Sequence, residues 1–152
     1  MTSFGAVLEQ PQPAKVTADG RPTILIIDDD DALSEVLSRR LEQQGFATMV
    51  AFSGQSGLAR ARAERPALIL LDLRLPDTDG FSVCAQLADA SETCTIPVIV
   101  LSGLGQPDVL RRCRAAGCRY FVRKPFDPSV LLILIRRAIE EVAAWDEDEL
   151  HG

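Results

Sequence analysis

The chain has 152 residues, which corresponds to one domain at roughly 150 residues per domain. Hydrophobic residues make up 47% and charged residues 25% of it, so a disordered, fibrous or collagen-like chain is excluded. The net charge of −6 predicts no direct nucleic-acid partner, because such binding needs a basic surface. No apolar run approaches the ~18 residues that cross a bilayer, and no secretory signal is evident. We therefore expect a cytoplasmic protein without membrane insertion.

The cysteines are predicted to be free thiols. They form no CxxC pair, and His151 is the one histidine that could complete a zinc site. This spacing does not match a structural zinc site. Free thiols are typical of the reducing cytoplasm. The four residues concerned are Cys84, Cys94, Cys113 and Cys118.

Strand and helix patterns alternate from residue 23 onward. Residues 1–22 contain three prolines and little periodic hydrophobicity, which predicts a flexible N-terminal arm. Short hydrophobic runs predict five strands, at 24–27, 46–51, 68–71, 97–101 and 120–123. Helices are expected between them, the fourth over 107–116, and a long last helix follows Asp127 and Pro128. Residues 146–152 form an acidic C-terminal tail in this interpretation.

Local signals mark where these helices begin and end. Ser53, Asp79 and Asp127 stand where N-caps are expected. Asp30 and Asp31 are interpreted as the negatively charged start of the first helix. Gly45 and Gly117 are expected to stop the first and fourth helices. Five strands alternating with five helices predict an α/β fold with a doubly wound parallel sheet.

Polar side chains come at the carboxyl end of four predicted strands. Asp28 and Asp29 follow the first strand, Asp72 the third, Ser102 the fourth and Lys124 the fifth. Ligands of open α/β sheets bind at this edge. A cluster of carboxylates needs a compensating cation, and oxygen ligands without histidine or cysteine favour Mg²⁺. A carboxylate beside Mg²⁺ can attack phosphorus and form an aspartyl phosphate.

Four segments together resemble the receiver domain of two-component response regulators, the CheY-like fold. They are the segments at residues 24–29, 71–80, 98–103 and 121–126. The resemblance implies a five-stranded sheet of order 2-1-3-4-5 and a receiver domain over residues 23–145. It also implies a cis bond between Lys124 and Pro125.

The resemblance further implies a role for each matching residue. Asp72 is the expected phosphoacceptor, loaded from a sensor histidine kinase or a histidine phosphotransfer protein. Asp28, Asp29, Asp72 and the backbone carbonyl of Arg74 are the expected Mg²⁺ ligands. Ser102 and Lys124 are expected to bind phosphoryl oxygens. Ser102 and the aromatic Phe121 are the expected switch residues.

Other functions remain open at this point. An aspartyl-nucleophile phosphatase is disfavoured because Arg74 stands where its second Asp is expected and no cap domain fits the length. A pseudo-receiver scaffold would lack one of the site residues, and none is missing. The chain is expected to be a single-domain response regulator that signals through changed protein docking. A receiver module cut from a hybrid kinase or a transcription factor is the alternative.

The last helix is predicted to carry a partner surface. Helical spacing places Leu131, Ile135, Ala138 and Val142 on its core face. Residues 132–134 sweep roughly 200° around the helix, so they cannot all be buried. Arginines on the fourth and fifth helices surround this apolar strip. We therefore expect the face of the fourth helix, fifth strand and fifth helix to mediate homodimerisation or docking of a downstream target, strengthened by phosphorylation.

Overall fold

Five short hydrophobic segments form one parallel sheet. The computed structural model describes residues 15–103 and 108–151, with side chains through residue 144. The strands pair in the order β2-β1-β3-β4-β5, and each pairing is parallel. The predicted doubly wound α/β fold with strand order 2-1-3-4-5 is therefore confirmed. The strands are β1 (Thr23–Ile27), β2 (Ala47–Ala51), β3 (Leu68–Asp72), β4 (Val98–Ser102) and β5 (Tyr120–Arg123).

Five helices alternate with these strands in the described part of the chain, and most begin where the sequence predicts. Ser53 and Asp79 accept backbone hydrogen bonds from the first turns of their helices, and Asp127 accepts one from Ser129 at 2.9 Å. The fourth helix is shorter than predicted, and residue 107 lies outside the described residues. The helices are α1 (Asp31–Gln43), α2 (Gly54–Glu64), α3 (Gly80–Asp89), α4 (Val109–Ala115) and α5 (Pro128–His151).

Helices cover both faces of the sheet. Leu25 and Ile27 of β1 face a hydrophobic cluster built with α2, α3 and α4. Ile24 and Ile26 face the opposite cluster, built with α1 and α5. All five residues of β1 and of β3 are buried, which explains why these strands read as continuous hydrophobic runs. This double cover leaves the ends of the strands as the places where polar groups can gather.

The solvent-exposed apolar strip of α5 is narrower than predicted. Leu131, Ile135 and Ala138 are buried as expected, while Val142 is only half-buried. Leu132 and Leu134 are half-buried and pack against the α1–α5 core cluster, whereas Ile133 is 66% exposed. The prediction that residues 132–134 cannot all be buried is therefore confirmed, with Ile133 outside the core face and Leu132 and Leu134 partly outside it. A helix that packs against both a sheet and a neighbouring helix buries a stripe wider than its central row.

The N-terminal boundary also differs from the expected arm. Residues 1–14 lie outside the described residues. From Lys15 onward the chain forms a turn that is attached to the domain, because the Lys15 amide donates to the Arg65 carbonyl at 2.8 Å. A bridge between Val16 and Pro22 closes this turn. Residues 15–22 are thus held against the end of α2. At the other terminus, the backbone of α5 continues through residues 146–151 of the predicted acidic tail.

The four cysteines are free, as predicted. Cys84, Cys113 and Cys118 are buried in the core on the α3–α4 side of the sheet. Burial and the neighbouring Cys118 thiol raise the pKa of Cys113 to about 11. The Cys113 thiol is therefore a neutral core group. None of the helices in the described ranges is long and apolar enough to cross a membrane.

Candidate functional site

Three carboxylates meet at the carboxyl edge of the two central strands. Asp28 follows β1, Asp72 ends β3, and the two strands are neighbours in the sheet. One oxygen each from Asp28, Asp29 and Asp72 lies within 4.8 Å of the others. Asp28 and Asp72 are buried, whereas Asp29 is exposed. The cluster thus has a buried floor and one side open to solvent, and its hard oxygen ligands suit Mg²⁺.

Lys124 supplies positive charge to this cluster. Its Nζ lies 3.4 Å from an Asp28 oxygen and 3.5 Å from an Asp72 oxygen. The Lys124 amide donates to the Ser102 carbonyl at 2.6 Å, which attaches the residue to the end of β4. The peptide bond between Lys124 and Pro125 is cis, as the resemblance implied. A single ammonium group therefore lies within ion-pair distance of two carboxylates.

The cluster brings three carboxylates together, and the Lys124 ammonium group contacts two of them. Burial raises the pKa of Asp28, and the charge of Asp72 raises it further. The Asp30 amide, which donates to Asp28 at 2.9 Å, and the Lys124 ammonium act in the opposite direction without cancelling the rise. Like charges packed at a buried site favour the binding of a cation. The donor set and the charge imbalance both fit a divalent cation such as Mg²⁺.

Ser102 adds an unpaired hydroxyl at the same edge. The residue ends β4 and is 1% exposed, and its Oγ has no hydrogen-bond partner within the described ranges. The adjoining residues 104–107 lie outside these ranges. A buried hydroxyl without a partner costs free energy that a bound acceptor can offset. Ser102 is therefore placed to donate a hydrogen bond to an oxygen of a bound anion.

Comparisons with known proteins identify the family of this chain. Residues 24–136 match the family described as the response regulator receiver domain. The chain belongs to this family. Among structures, the CheY-like receiver domain protein of Methanospirillum hungatei is similar with a TM-score of 0.77 and 26% identity, covering 82% of this chain and 98% of that one. The signal receiver domain of a histidine kinase from Syntrophus aciditrophicus gives a TM-score of 0.75 and 31% identity, over 80% and 92%.

The curated relatives are longer proteins. The DNA-binding dual master transcriptional regulator RpaA of Synechocystis is 42% identical to this receiver over 115 residues, which is 76% of this chain and 48% of that relative. The chain spans about half the length of the curated relatives that it matches. The expectation of a single-domain regulator is therefore not supported by the comparisons.

Two further residues of the receiver were predicted to take part in its function. Phe121 is half-buried on β5 and packs against the α2–α4 core cluster. Arg74 is exposed, and its amide donates to Asp72 at 3.3 Å. The roles of Phe121 as a switch and of the Arg74 carbonyl as a ligand stay predictions. Asp30 caps α1 by accepting from the Leu33 amide at 3.1 Å, which confirms the structural interpretation of this residue.

One residue near the receiver site was missed by the sequence analysis. Asp77 lies between β3 and α3, and its carboxylate accepts hydrogen bonds from the amides of Gly54 and Gln55 at 2.8 and 2.9 Å. These bonds hold the pKa of Asp77 below its ordinary value. The partners are more than twenty residues apart in sequence. No local pattern marks such a contact, since only the packing of α2 beside the loop after β3 creates it.

Proposed function

We propose that the receiver accepts a phosphoryl group on Asp72 from the phosphohistidine of a sensor kinase or a phosphotransfer protein. The observation that carries this proposal is the convergence of Asp28, Asp29 and Asp72 with the ammonium of Lys124. A metal cluster alone would not need the lysine. A phosphoryl group carries negative oxygens that an ammonium group and a hydroxyl can bind.

The transfer is a displacement at phosphorus. An oxygen of Asp72 forms the new bond to phosphorus while the bond to the donor imidazole nitrogen breaks, and the electron pair of that bond stays on the imidazole. Lys124 and Ser102 stabilise the charge on the phosphoryl oxygens. Asp28, Asp29, Asp72 and the Arg74 carbonyl would hold Mg²⁺, which supplies positive charge to the phosphoryl oxygens when bound. We also propose that hydrolysis at the same site removes the phosphoryl group from Asp72.

We propose that the face formed by α4, β5 and α5 transmits the signal by binding a partner. Leu110, Val130 and Ile133 are 47%, 56% and 66% exposed, which is unusual for large aliphatic side chains. Exposed arginines at 111, 112, 114, 136 and 137 add positive charge to the same two helices. An apolar centre with a charged rim is typical of protein interfaces. We propose that a second copy of the chain docks here after phosphorylation.

Sedimentation of the receiver with and without Mg²⁺ and beryllofluoride, which stands for the phosphoryl group, tests the docking proposal. We expect association only with the mimic, and its loss in Ile133→Glu. Leu134 is unsuitable for this test because it packs against the core. A receiver that stays monomeric in both states would contradict self-association and leave docking of a different protein as the alternative.

Intact-mass measurement after incubation with Mg²⁺ and acetyl phosphate tests the phosphoacceptor. We expect the wild type to gain one phosphoryl group and Asp72→Asn to gain none. Asp89→Asn is the control, since Asp89 is an exposed residue at the end of α3, and it should be modified like the wild type. Equal labelling of Asp72→Asn and the wild type would overturn the assignment.

A further inference from the structure

Asp77 connects the loop after Asp72 to α2, although α3 is the helix that follows this loop in the chain. The loop comprises residues 73–79, between β3 and α3. The Asp77 carboxylate uses both oxygens, one for the Gly54 amide at 2.8 Å and one for the Gln55 amide at 2.9 Å. Both amides belong to the first turn of α2, where backbone donors have no partner within the helix. Asp77 therefore binds the positive end of the α2 dipole.

The backbone amides in the first turn of α2 donate to two different residues, Ser53 and Asp77. Ser53, the N-cap, accepts from the Ser56 amide with its hydroxyl at 3.1 Å and from the Gly57 amide with its carbonyl at 3.0 Å. The first two amides have no such local acceptor and use Asp77 instead. Removal of Ser53 would therefore weaken α2 from within. Removal of Asp77 would weaken α2 and also separate it from the loop.

The loop and α2 lie so close together that a larger residue at Gly54 would displace the Thr78 side chain. A Cβ on Gly54 would lie 2.3 Å from Cγ2 of Thr78 and 3.4 Å from the Asp77 carboxylate. The loop is also closed across its base, because Arg74 and Asp79 form an antiparallel bridge. The Gly80 amide donates to the Leu73 carbonyl at 3.1 Å. The loop is thus a small closed unit whose tip is attached to α2.

We propose that Asp77 is a positioning residue for the metal and phosphoryl site. By attaching the tip of the loop to α2, it fixes the backbone at Arg74 relative to Asp72. This inference rests on the proposed function, in which the Arg74 carbonyl is a metal ligand. Residues that orient metal ligands without touching the ion affect affinity strongly, since their removal typically weakens binding by about 10–100-fold.

The test compares Asp77→Ala with Ser53→Ala, because both variants remove a cap of the same helix. Mg²⁺ alone is titrated into each protein by calorimetry, and urea unfolding is measured in the presence of EDTA. We expect Asp77→Ala to weaken Mg²⁺ binding about tenfold, the lower end of the range for such residues. Ser53→Ala should leave the dissociation constant within about twofold of the wild type, because its hydroxyl accepts only from α2 itself.

Asp77→Asn keeps the test valid if Asp77→Ala does not fold. The amide side chain keeps one acceptor oxygen, so this variant should lose less Mg²⁺ affinity than Asp77→Ala. Unchanged affinity in the folded Asp77 variants, or an equal loss in Ser53→Ala, would overturn the positioning role. If the wild type itself showed no binding that depends on Asp72, the proposed function would fail and this inference with it. Wild-type binding with indifferent Asp77 variants would overturn this inference alone.

Discussion

The helices on the two sides of the site begin in different ways. Asp30, Ser53 and Asp79 accept hydrogen bonds from the first turns of α1, α2 and α3, and α2 receives two further bonds from Asp77. Asp108, before α4, has a left-handed backbone with φ of 57°, and its side chain makes no capping bond. Its carboxylate pairs with the Arg111 guanidinium instead. Within the described residues, which leave out 104–107, the site therefore has a capped side, where helices α1 to α3 begin with side-chain caps, and an uncapped side at α4.

This difference indicates where the receiver can change shape. On the capped side, the loops that carry the carboxylates also supply the caps, so displacing a carboxylate would break backbone hydrogen bonds. On the uncapped side, α4 has only seven residues, and an exposed ion pair between Arg112 and Asp79 connects it to the start of α3. Short helices with few fixed contacts open at low cost. We expect phosphorylation to change the conformation of the α4 side.

Adding a methyl group on each side of the site should show the largest contrast. A Cβ on Gly80 would lie 2.5 Å from the Leu73 Cα and 3.0 Å from the Asp72 carbonyl oxygen, both backbone atoms. A Cβ on Gly103 would meet no described atom within 4 Å. We expect Gly80→Ala to lower the free energy of unfolding in urea by about 3 kcal/mol, and Gly103→Ala to change it by less than about 0.5 kcal/mol. Equal losses would contradict the comparison.

The contact that joins α4 to the capped side should have a smaller effect. The Arg112 guanidinium lies 3.1 Å from the Asp79 carboxylate and 4.0 Å from the centre of the Phe81 ring. Because Arg112 and Asp79 are half-exposed, we expect Arg112→Ala to lower the free energy of unfolding in urea by about 1 kcal/mol. Arg111→Ala, which removes the pair within α4, should cost about 0.3 kcal/mol. An Arg112 effect no larger than that of Arg111 would argue against a connection between α4 and α3.

The smallest predicted effect concerns Tyr120 on β5, whose hydroxyl donates to Glu141 on α5. Burial and this carboxylate raise the pKa of Tyr120 to about 12. The unfolded value is near 10, so the resulting stabilisation is complete below about pH 10 and is lost as the pH rises through about 12. Tyr120 is the one tyrosine of the chain, so its absorbance reports its ionisation directly.

We expect a titration midpoint close to pH 12 in the folded protein and a lower one in Glu141→Gln. Circular dichroism in the same samples separates ionisation of Tyr120 from unfolding. A midpoint near 10 while the protein is still folded would show that Glu141 does not hold the hydroxyl.

Much of the fold was predictable because its signals are local. The runs at Ile24–Ile27 and Leu68–Leu71 are hydrophobic on every residue because both faces of these strands are buried. Caps such as Ser53 and Asp79 act within three residues of their own helix starts. The gathering of Asp28, Asp72 and Lys124 at one edge follows from parallel strands that end on the same side.

The remaining features depend on packing between distant segments. The bonds from Asp77 to α2 cannot be seen until α2 and the loop after β3 lie side by side. The half-burial of Leu132 and Leu134 depends on how α5 packs against the core that it shares with α1 and the sheet. The left-handed backbone of Asp108 carries no sequence signal beyond the tolerance of aspartate for that conformation. Such features are set by the tertiary structure and not by periodicity.

Amide hydrogen exchange, measured with and without Mg²⁺ and beryllofluoride, tests the comparison between the two sides most directly. We expect the first-turn amides of α2 to be protected in both states, because each has an acceptor. Those of α4 should exchange faster without the mimic and change their protection when it binds at Asp72. First turns of α2 and α4 that exchange at the same rate, or a mimic that alters α2 and leaves α4 unchanged, would contradict the account.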